Sequence, residues 1–348
     1  MSENAPSRTE LSDLGEFGLI EHLTSNLTHQ RESTVYGVGD DAAILDNGSD
    51  QYSLLSTDML VEGVHFDLSY VPLQHLGYKA VIVNISDICA MNGIAEQVTV
   101  SIAVSNRFSV EALEELYKGI RLACERYKVD LVGGDTTSSS SGLVISVTAH
   151  GRVDKDKVAR RDTAKEKDLL VVTGDLGGAY MGLQILEREK SVFQEAPSVQ
   201  PDLQGHDYIL ERQLKPEARV DIVKYLADAG VVPSAMIDIS DGLASEIFHI
   251  GTRSKLGCHL YEAKIPMDKS MYDTAREFEL DPTLCVLSGG EDYELLMTLS
   301  VEDYEKIKDV TNFEAIGYMT DQASGFNMET KDGHVVPIKA QGWKHLSD

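Results

Sequence analysis

The 348-residue chain is poor in cysteine, tryptophan and positive charge, and each scarcity removes a class of protein. Its four cysteines, Cys89, Cys124, Cys258 and Cys285, lie far apart with no C-x-x-C spacing. This excludes a zinc ribbon or a disulfide scaffold and predicts reduced, mostly buried thiols in a cytoplasmic protein. No apolar run approaches the roughly 18 residues of a membrane span. The N-terminus, MSENAPSRTELSDLGE, has no apolar stretch of the kind a secretion signal needs, so neither membrane insertion nor export is expected. Against 31 lysines and arginines stand 57 acidic residues, a formal net charge of −26. That balance argues against a nucleic-acid partner, because a phosphate backbone needs a basic footprint. There is no G-x-x-x-x-G-K-[ST] loop, no H-R-D or D-F-G set, and no visible Ser–His–Asp or Cys–His arrangement.

What is present is a globular composition, 42% hydrophobic, at a length that suits two domains. Apolar periodicity predicts a helix from Glu16 to Asn26, a strand at Ser53–Leu60, a long buried helix at Leu73–Met91 and a strand at Gln97–Val104. An amphipathic helix follows at Val110–Tyr127, where Leu113, Leu116, Ile120 and Cys124 form one stripe. A strand end at Asp130–Val132 and a strand at Leu143–Val153 complete the first half. A charged, aperiodic stretch at Asp154–Lys167 reads as a connection. Beyond it come strands at Leu169–Thr173, Met236–Ile239 and Glu294–Leu299, with helices at Gly178–Arg188, Pro216–Ala229 and Leu243–Lys255. Lys190–Gly205 reads as a loop. The expectation is an α/β (α+β) protein of two halves, residues 1–153 and 154–348.

Acidic residues repeatedly follow apolar runs or sit beside glycine: GVGDDAAIL, LLSTDML, VNISDICAMNG, LVGGDTT and MIDISDGL. A strand-end aspartate lies where α/β proteins gather ligands. Oxygen donors without histidine or cysteine suit magnesium, which takes a few carboxylates together with substrate phosphates. Each segment also has a plainer reading as a turn, a strand end or a helix cap. Asp87 stands out, because it falls inside the apolar helix KAVIVNISDICAM, where a charge must be paired or ligated. The G-x-G-x-x-A spacing of GVGDDA is not a dinucleotide fingerprint, since the preceding HQRESTVY is polar. VVTGDLGGAYMGL could hold an anion at a helix N-terminus or simply turn a strand into a helix. LSGGEDYELL could present Glu291 and Asp292 to a cleft or form a surface turn, and His65 could be a core residue or a ligand contact.

Taken in order, GVGDDAAIL, STDMLVEGVHF, YKAVIVNISDICAMNG, LVGGDTT, the Arg161–Asp168 run, IDISDGL and SGGEDYELL closely resemble the thiamine-monophosphate kinase family, across residues 15 to 345. The resemblance implies the two-domain fold of aminoimidazole ribonucleotide synthetase-like proteins, with homodimerisation through the N-terminal domains. It implies ATP as co-substrate and several magnesium ions held by Asp41, Ser56, Thr57, Asp58, Asp87, Asp135, Asp238 and Asp241. It implies ATP contacts at Tyr117, Gly134, Asp135, Arg161 and Ser240, and contacts to thiamine monophosphate at His65, Glu291 and Trp343. No catalytic general base is expected, because the attacking atom would be an ionised phosphate oxygen. Two rivals are a synthetase of the same superfamily that activates an amide or formyl oxygen, and a nucleotide-binding regulator without turnover. A selenophosphate synthetase is disfavoured, since the first cysteine, Cys89, falls within a predicted helix.

Overall fold

A computed structural model describes residues 10–310 and 312–339, so Trp343 lies outside the described residues. The first half opens with helix α1 (Leu11–Thr24) and strands β1 (Thr34–Tyr36), β2 (Ala43–Asp46) and β3 (Gln51–Val61). Then follow α2 (Leu73–Ala90), β4 (Ile94–Val104), α3 (Val110–Tyr127), β5 (Asp130–Ser138) and β6 (Leu143–Asp154). These strands form one sheet in the order β1-β2-β3-β6-β4-β5, antiparallel except for the β4–β5 pair.

Helix α2 is buried over almost its whole length, from Leu76 to Ala90, as its near-continuous apolar sequence requires. It crosses α3 at very close range. A Cβ on Gly77 would strike the Leu116 carbonyl, and one on Gly119 would strike the Gln74 carbonyl, so only glycine permits this approach. Helix α3 begins where the Ser109 side chain accepts from the Ala112 amide at 3.3 Å, and ends at Lys128 in the left-handed region. Its buried stripe runs through Leu116, Ile120, Ala123 and Cys124.

The second half begins with β7 (Leu169–Thr173), α4 (Gly178–Glu195), α5 (Asp207–Leu214), α6 (Val220–Ala229) and β8 (Ala235–Asp238). It continues through α7 (Leu243–Ser254), β9 (Leu256–Tyr261), α8 (Lys269–Glu277), α9 (Pro282–Ser288), β10 (Leu295–Leu299) and α10 (Val301–Glu305). Strands β11 (Phe313–Asp321), β12 (Phe326–Glu329) and β13 (Val335–Pro337) close the described chain. This sheet runs β13-β12-β9-β11-β7-β10-β8, with only β12–β9 parallel.

The central strands of the second sheet are apolar at nearly every position because both faces are covered. Val171, Met236, Leu295 and Met297 join the core built around α2 and α3, while Leu170, Val172, Ile237 and Leu296 join a second core on the opposite face. The two-residue period of the strand thus divides each run between two cores. Helix α2 is packed between the two halves and carries residues toward both.

Several boundaries differ from expectation. Helix α4 runs to Glu195 and shortens the loop predicted at Lys190–Gly205. The helix predicted from Pro216 begins only at Val220, while α5 occupies Asp207–Leu214, where no element was expected. Strand β5 extends to Ser138 through glycines and threonines that read as a turn, because β4 supplies a parallel partner along its length.

Candidate active site

Strand β3 sends alternate side chains to opposite faces. Ser56 and Asp58 turn inward with Leu54 and Leu60, and the Ser56 hydroxyl donates to Asp87 on α2. The Thr57 hydroxyl faces the other way, donating to the Val147 carbonyl at 3.0 Å and accepting from Thr148 at 3.1 Å. Asp87 sits near the C-terminal end of α2, Asp238 ends β8, and Asp41 lies in the turn before β2. One carboxylate oxygen from each of Asp41, Asp87 and Asp238 falls within 4.8 Å of the others. Asp58 lies beside them, and its charge acts on both Asp87 and Asp238. Four chain segments, far apart in sequence, therefore converge on one buried acidic cluster.

The electrostatics are unfavourable unless a cation is present. Burial pushes Asp87 well above the carboxylate range, reinforced by the charges of Asp58, Asp238 and Asp41. Asp238 is pushed to about 8 and Asp58 to about 6, again mainly by burial. Arg161 is the cation that answers them. Its guanidinium pairs with Asp41 and with Asp40 at 3.3 Å, and its backbone amide donates to Asp40 at 3.2 Å. Asp41 Oδ2 remains buried with no hydrogen-bond partner among the described residues. An orphaned carboxylate oxygen, an all-oxygen donor set and several like charges fit hard divalent cations.

The cluster separates two cavities. The smaller, ≈ 190 Å³, is lined by Asp41, Arg161, Ser240, Glu246 and His249 among others. The larger, ≈ 670 Å³, runs from Asp58, Asp87 and Asp238 to His65, Tyr70, Lys79 and Glu291. His65 follows β3, and its Nδ1 accepts from the Val61 amide at 3.0 Å. Ser240 and Asp241 line both cavities, and the Asp241 amide is held by Glu246 at 2.9 Å. Gly242, not Asp241, occupies the N-cap position of α7.

The SGGEDYELL segment serves two ends at once. Glu291, at a positive φ of 60°, faces the larger cavity, and its amide donates to the Ser240 carbonyl at 2.7 Å. Asp292 turns inward and accepts from the Gly177 amide at 2.7 Å and the Ala179 amide at 3.4 Å. The anion at the N-terminus of α4 is thus the protein's own carboxylate, which decides the reading of VVTGDLGG. Glu294 is buried against Arg212 at 2.8 Å and also pairs with Arg219.

Not every anticipated residue joins the cluster. Gly134 and Asp135 lie on the exposed edge strand β5, and neither lines either of these two cavities. Asp135 aligns with Ser101, Ser146 and Met59 across the sheet. Three strand spacings make that about 14 Å from β3. Tyr117 on α3 is half-buried against the first core and is likewise absent from both cavities. A Cβ at Gly134 would strike the Val100 carbonyl, so strand packing alone demands glycine there. Among residues that sequence reasoning missed are Lys79, Tyr70, Gln213 and His249. Lys79 carried the same signal as Asp87, a charge within an apolar helix, eight positions earlier.

Comparison with known proteins fits this geometry. The family model "AIR synthase related protein, N-terminal domain" matches residues 39–153. Thiamine-monophosphate kinase of Bacillus subtilis is 32% identical over 96% of this chain and 100% of its own length. The Escherichia coli K12 enzyme of that name is also 32% identical, over 96% of this chain and 98% of its own. The structure of AaThiL complexed with AMPPCP and TMP superimposes with a TM-score of 0.81 at 31% identity, covering 97% of this chain and 99% of that one. The hydrogenase maturation protein HypE in complex with ATP shares the fold at a TM-score of 0.68 and 21% identity, covering 97% of this chain and 100% of that one. With near-complete coverage on both sides, the chain belongs to the thiamine-monophosphate kinase family.

Proposed function

We propose that the chain transfers the γ-phosphoryl group of ATP to the phosphate of thiamine monophosphate, giving thiamine diphosphate and ADP. An ionised oxygen of the acceptor phosphate attacks the γ-phosphorus, and the bond from that phosphorus to the β–γ bridging oxygen breaks. The acceptor oxygen is already ionised near neutral pH, so the reaction needs no general base. The difficulty is bringing two polyanions into line, which calls for charge neutralisation and positioning.

The observation that carries this reading is a cation-deficient acidic cluster set between two cavities. Magnesium ions held by Asp41, Asp58, Asp87 and Asp238, with Ser56, Thr57 and Asp241 alongside, would neutralise phosphate oxygens of both substrates. Arg161 lies beside the smaller cavity and offers a fixed cation to ATP phosphates, with Ser240 next to it. His65 and Glu291 line the larger cavity, where thiamine monophosphate is accommodated. The relative solved with AMPPCP and TMP supports this pairing of ligands.

Tyr117, Gly134 and Asp135 face away from the cluster of their own chain, so they take part through a homodimer in which each subunit lends β5 to the other. Exposed Leu131 and Val132 on β5, and Leu55 and Met59 on the uncovered face of the first sheet, support an interface there. In this reading residues 1–153 form the dimerising, ATP- and magnesium-binding domain, and 154–348 complete the nucleotide and substrate site. Among the described residues no helix is long and apolar enough to cross a membrane.

The test is product analysis of purified protein with ATP, magnesium and thiamine monophosphate. Thiamine diphosphate should appear only when all three are present. ATP binding without that product would favour another synthetase-like activity. Exchange of site halves is tested by mixing Asp87→Asn with Asp135→Asn after dissociation. Random reassociation should restore about a quarter of wild-type activity, since half the dimers then hold one intact site of two.

A further inference from the structure

Helix α2 lines the larger cavity with Lys79, Val83 and Asp87, spaced four apart on one face. Eight residues of helix separate the lysine from the aspartate by about 12 Å. The cavity therefore has an acidic end, where the phosphates meet, and a second end at Lys79. The rest of the cavity is lined by the apolar and aromatic Phe66, Tyr70, Leu76, Tyr180 and Leu183, with the charged Asp67, Glu187 and Lys190 gathered around Tyr70. At its base Lys79 Nζ pairs with Glu291 Oε1 at 2.7 Å and donates to the Gln213 carbonyl at 3.2 Å. Gln213 Nε2 donates to Glu291 Oε2 at 2.8 Å. The Lys79 side chain is 7% exposed and that of Glu291 is 28% exposed.

A buried ion pair contributes little to net stability compared with apolar packing of the same volume. Its retention at the floor of a ligand chamber calls for another reason. Glu291 is neutralised by Lys79, so it offers a hydrogen-bond acceptor with little net charge. Lys79 has three N–H donors, and Glu291 and Gln213 occupy two of them. Acceptor and donor thus stand side by side in a partly aromatic cavity, the complement of a planar ring with an N–H donor beside a ring-nitrogen acceptor.

We propose that Lys79 and Glu291 act together as the specificity element for the aminopyrimidine ring of the substrate, and that Gln213 holds the pair in register. The inference rests on the proposed reaction and deepens it. The aminopyrimidine and the phosphate lie at opposite ends of thiamine monophosphate, as Lys79 and Asp87 lie at opposite ends of the cavity. The exocyclic amine donates to Glu291 and the neighbouring ring nitrogen accepts from Lys79. A ring with an oxo group in place of the amine presents the reverse pattern and leaves both protein groups mismatched, which polar sites penalise strongly.

The experiment is steady-state kinetics of the full chain with thiamine monophosphate and with oxythiamine monophosphate, whose amine is replaced by an oxo group. Wild type should prefer the amine by about 100-fold or more in kcat/KM. Lys79→Met should raise the KM for thiamine monophosphate about tenfold or more, leave the KM for ATP unchanged and shrink the preference. Glu291→Gln, whose amide can both donate and accept, should narrow the preference even if the lysine variant folds poorly. An unchanged preference in both variants, or in Glu291→Gln alone where Lys79→Met does not fold, would overturn the proposal. If wild type makes no thiamine diphosphate, the reaction itself is misassigned and this inference falls with it.

Discussion

Two clusters of buried carboxylates lie within this molecule, and they are balanced in opposite ways. Around Asp292 and Glu294 the acids are matched by Arg212 and Arg219, by the Thr173 hydroxyl at 2.6 Å and by the backbone amides of Gly177 and Ala179. Around Asp87 the acids of β3, α2, β8 and the turn before β2 face one another, and the direct ion pairs of Arg161 go to Asp40 and Asp41. Burial alone therefore does not mark a functional acid. The balance of positive charge separates the two: each acid of the first cluster has an arginine partner, whereas the second is where we propose that cations bind.

The comparison can be broken from either side. Asp87→Asn should lower turnover by about 10³-fold or more, because an amide is a far poorer ligand than a carboxylate for the divalent cations that would neutralise the two phosphate chains. The same change should raise the melting temperature of the metal-free protein by a few degrees, as it removes repulsion. A variant that retained near-normal turnover at saturating magnesium would refute the cation-site account. In the paired cluster the signs reverse: Glu294→Gln leaves Arg212 and Arg219 without their carboxylate and should cost about 3 kcal/mol in denaturant unfolding. Stability equal to wild type would show the network to be dispensable.

A smaller effect sharpens the contrast. Asp58 and Asp238 bind a proton more tightly in the fold, at about 6 and about 8, than at the ordinary value of 3.8. Their contribution to stability is complete below the unfolded value and is lost as pH rises through the folded ones. The melting temperature of the metal-free protein should therefore fall between about pH 6 and about pH 8, and saturating magnesium should flatten that slope. A metal-free melting temperature that held steady or rose over this window would contradict the electrostatic reading.

Much of the unpaired cluster was legible in the sequence, because its members carry a local mark. Asp87 interrupts an apolar helix, and Asp58 and Asp238 fall within or at the end of apolar strands, so each is conspicuous among its neighbours. The paired cluster was not legible in this way. Arg212 and Glu294 are 82 positions apart, and nothing near either one announces the other. The inward turn of Asp292 and outward turn of Glu291 depend on positive φ at Glu291 and Tyr293, which propensity does not foresee for such residues. The same limit applied to β5, whose glycines weaken strand propensity until β4 is placed beside them. Lys79 was legible by the rule that exposed Asp87, yet its partner Glu291 appears only once the halves are folded together.

The close crossing of α2 and α3 has a consequence for what the protein can measure. Two glycines seat α2 against its neighbour, and α2 carries both Lys79 and Asp87 on one rigid rod. The interval between the two ends of the cavity is thus a fixed gauge length, set by helix rise rather than by loops that could stretch. One residue inserted between Lys79 and Asp87 would turn one end about 100° away from the other. A substrate shortened or lengthened between its ring and its phosphate would meet a caliper that does not open.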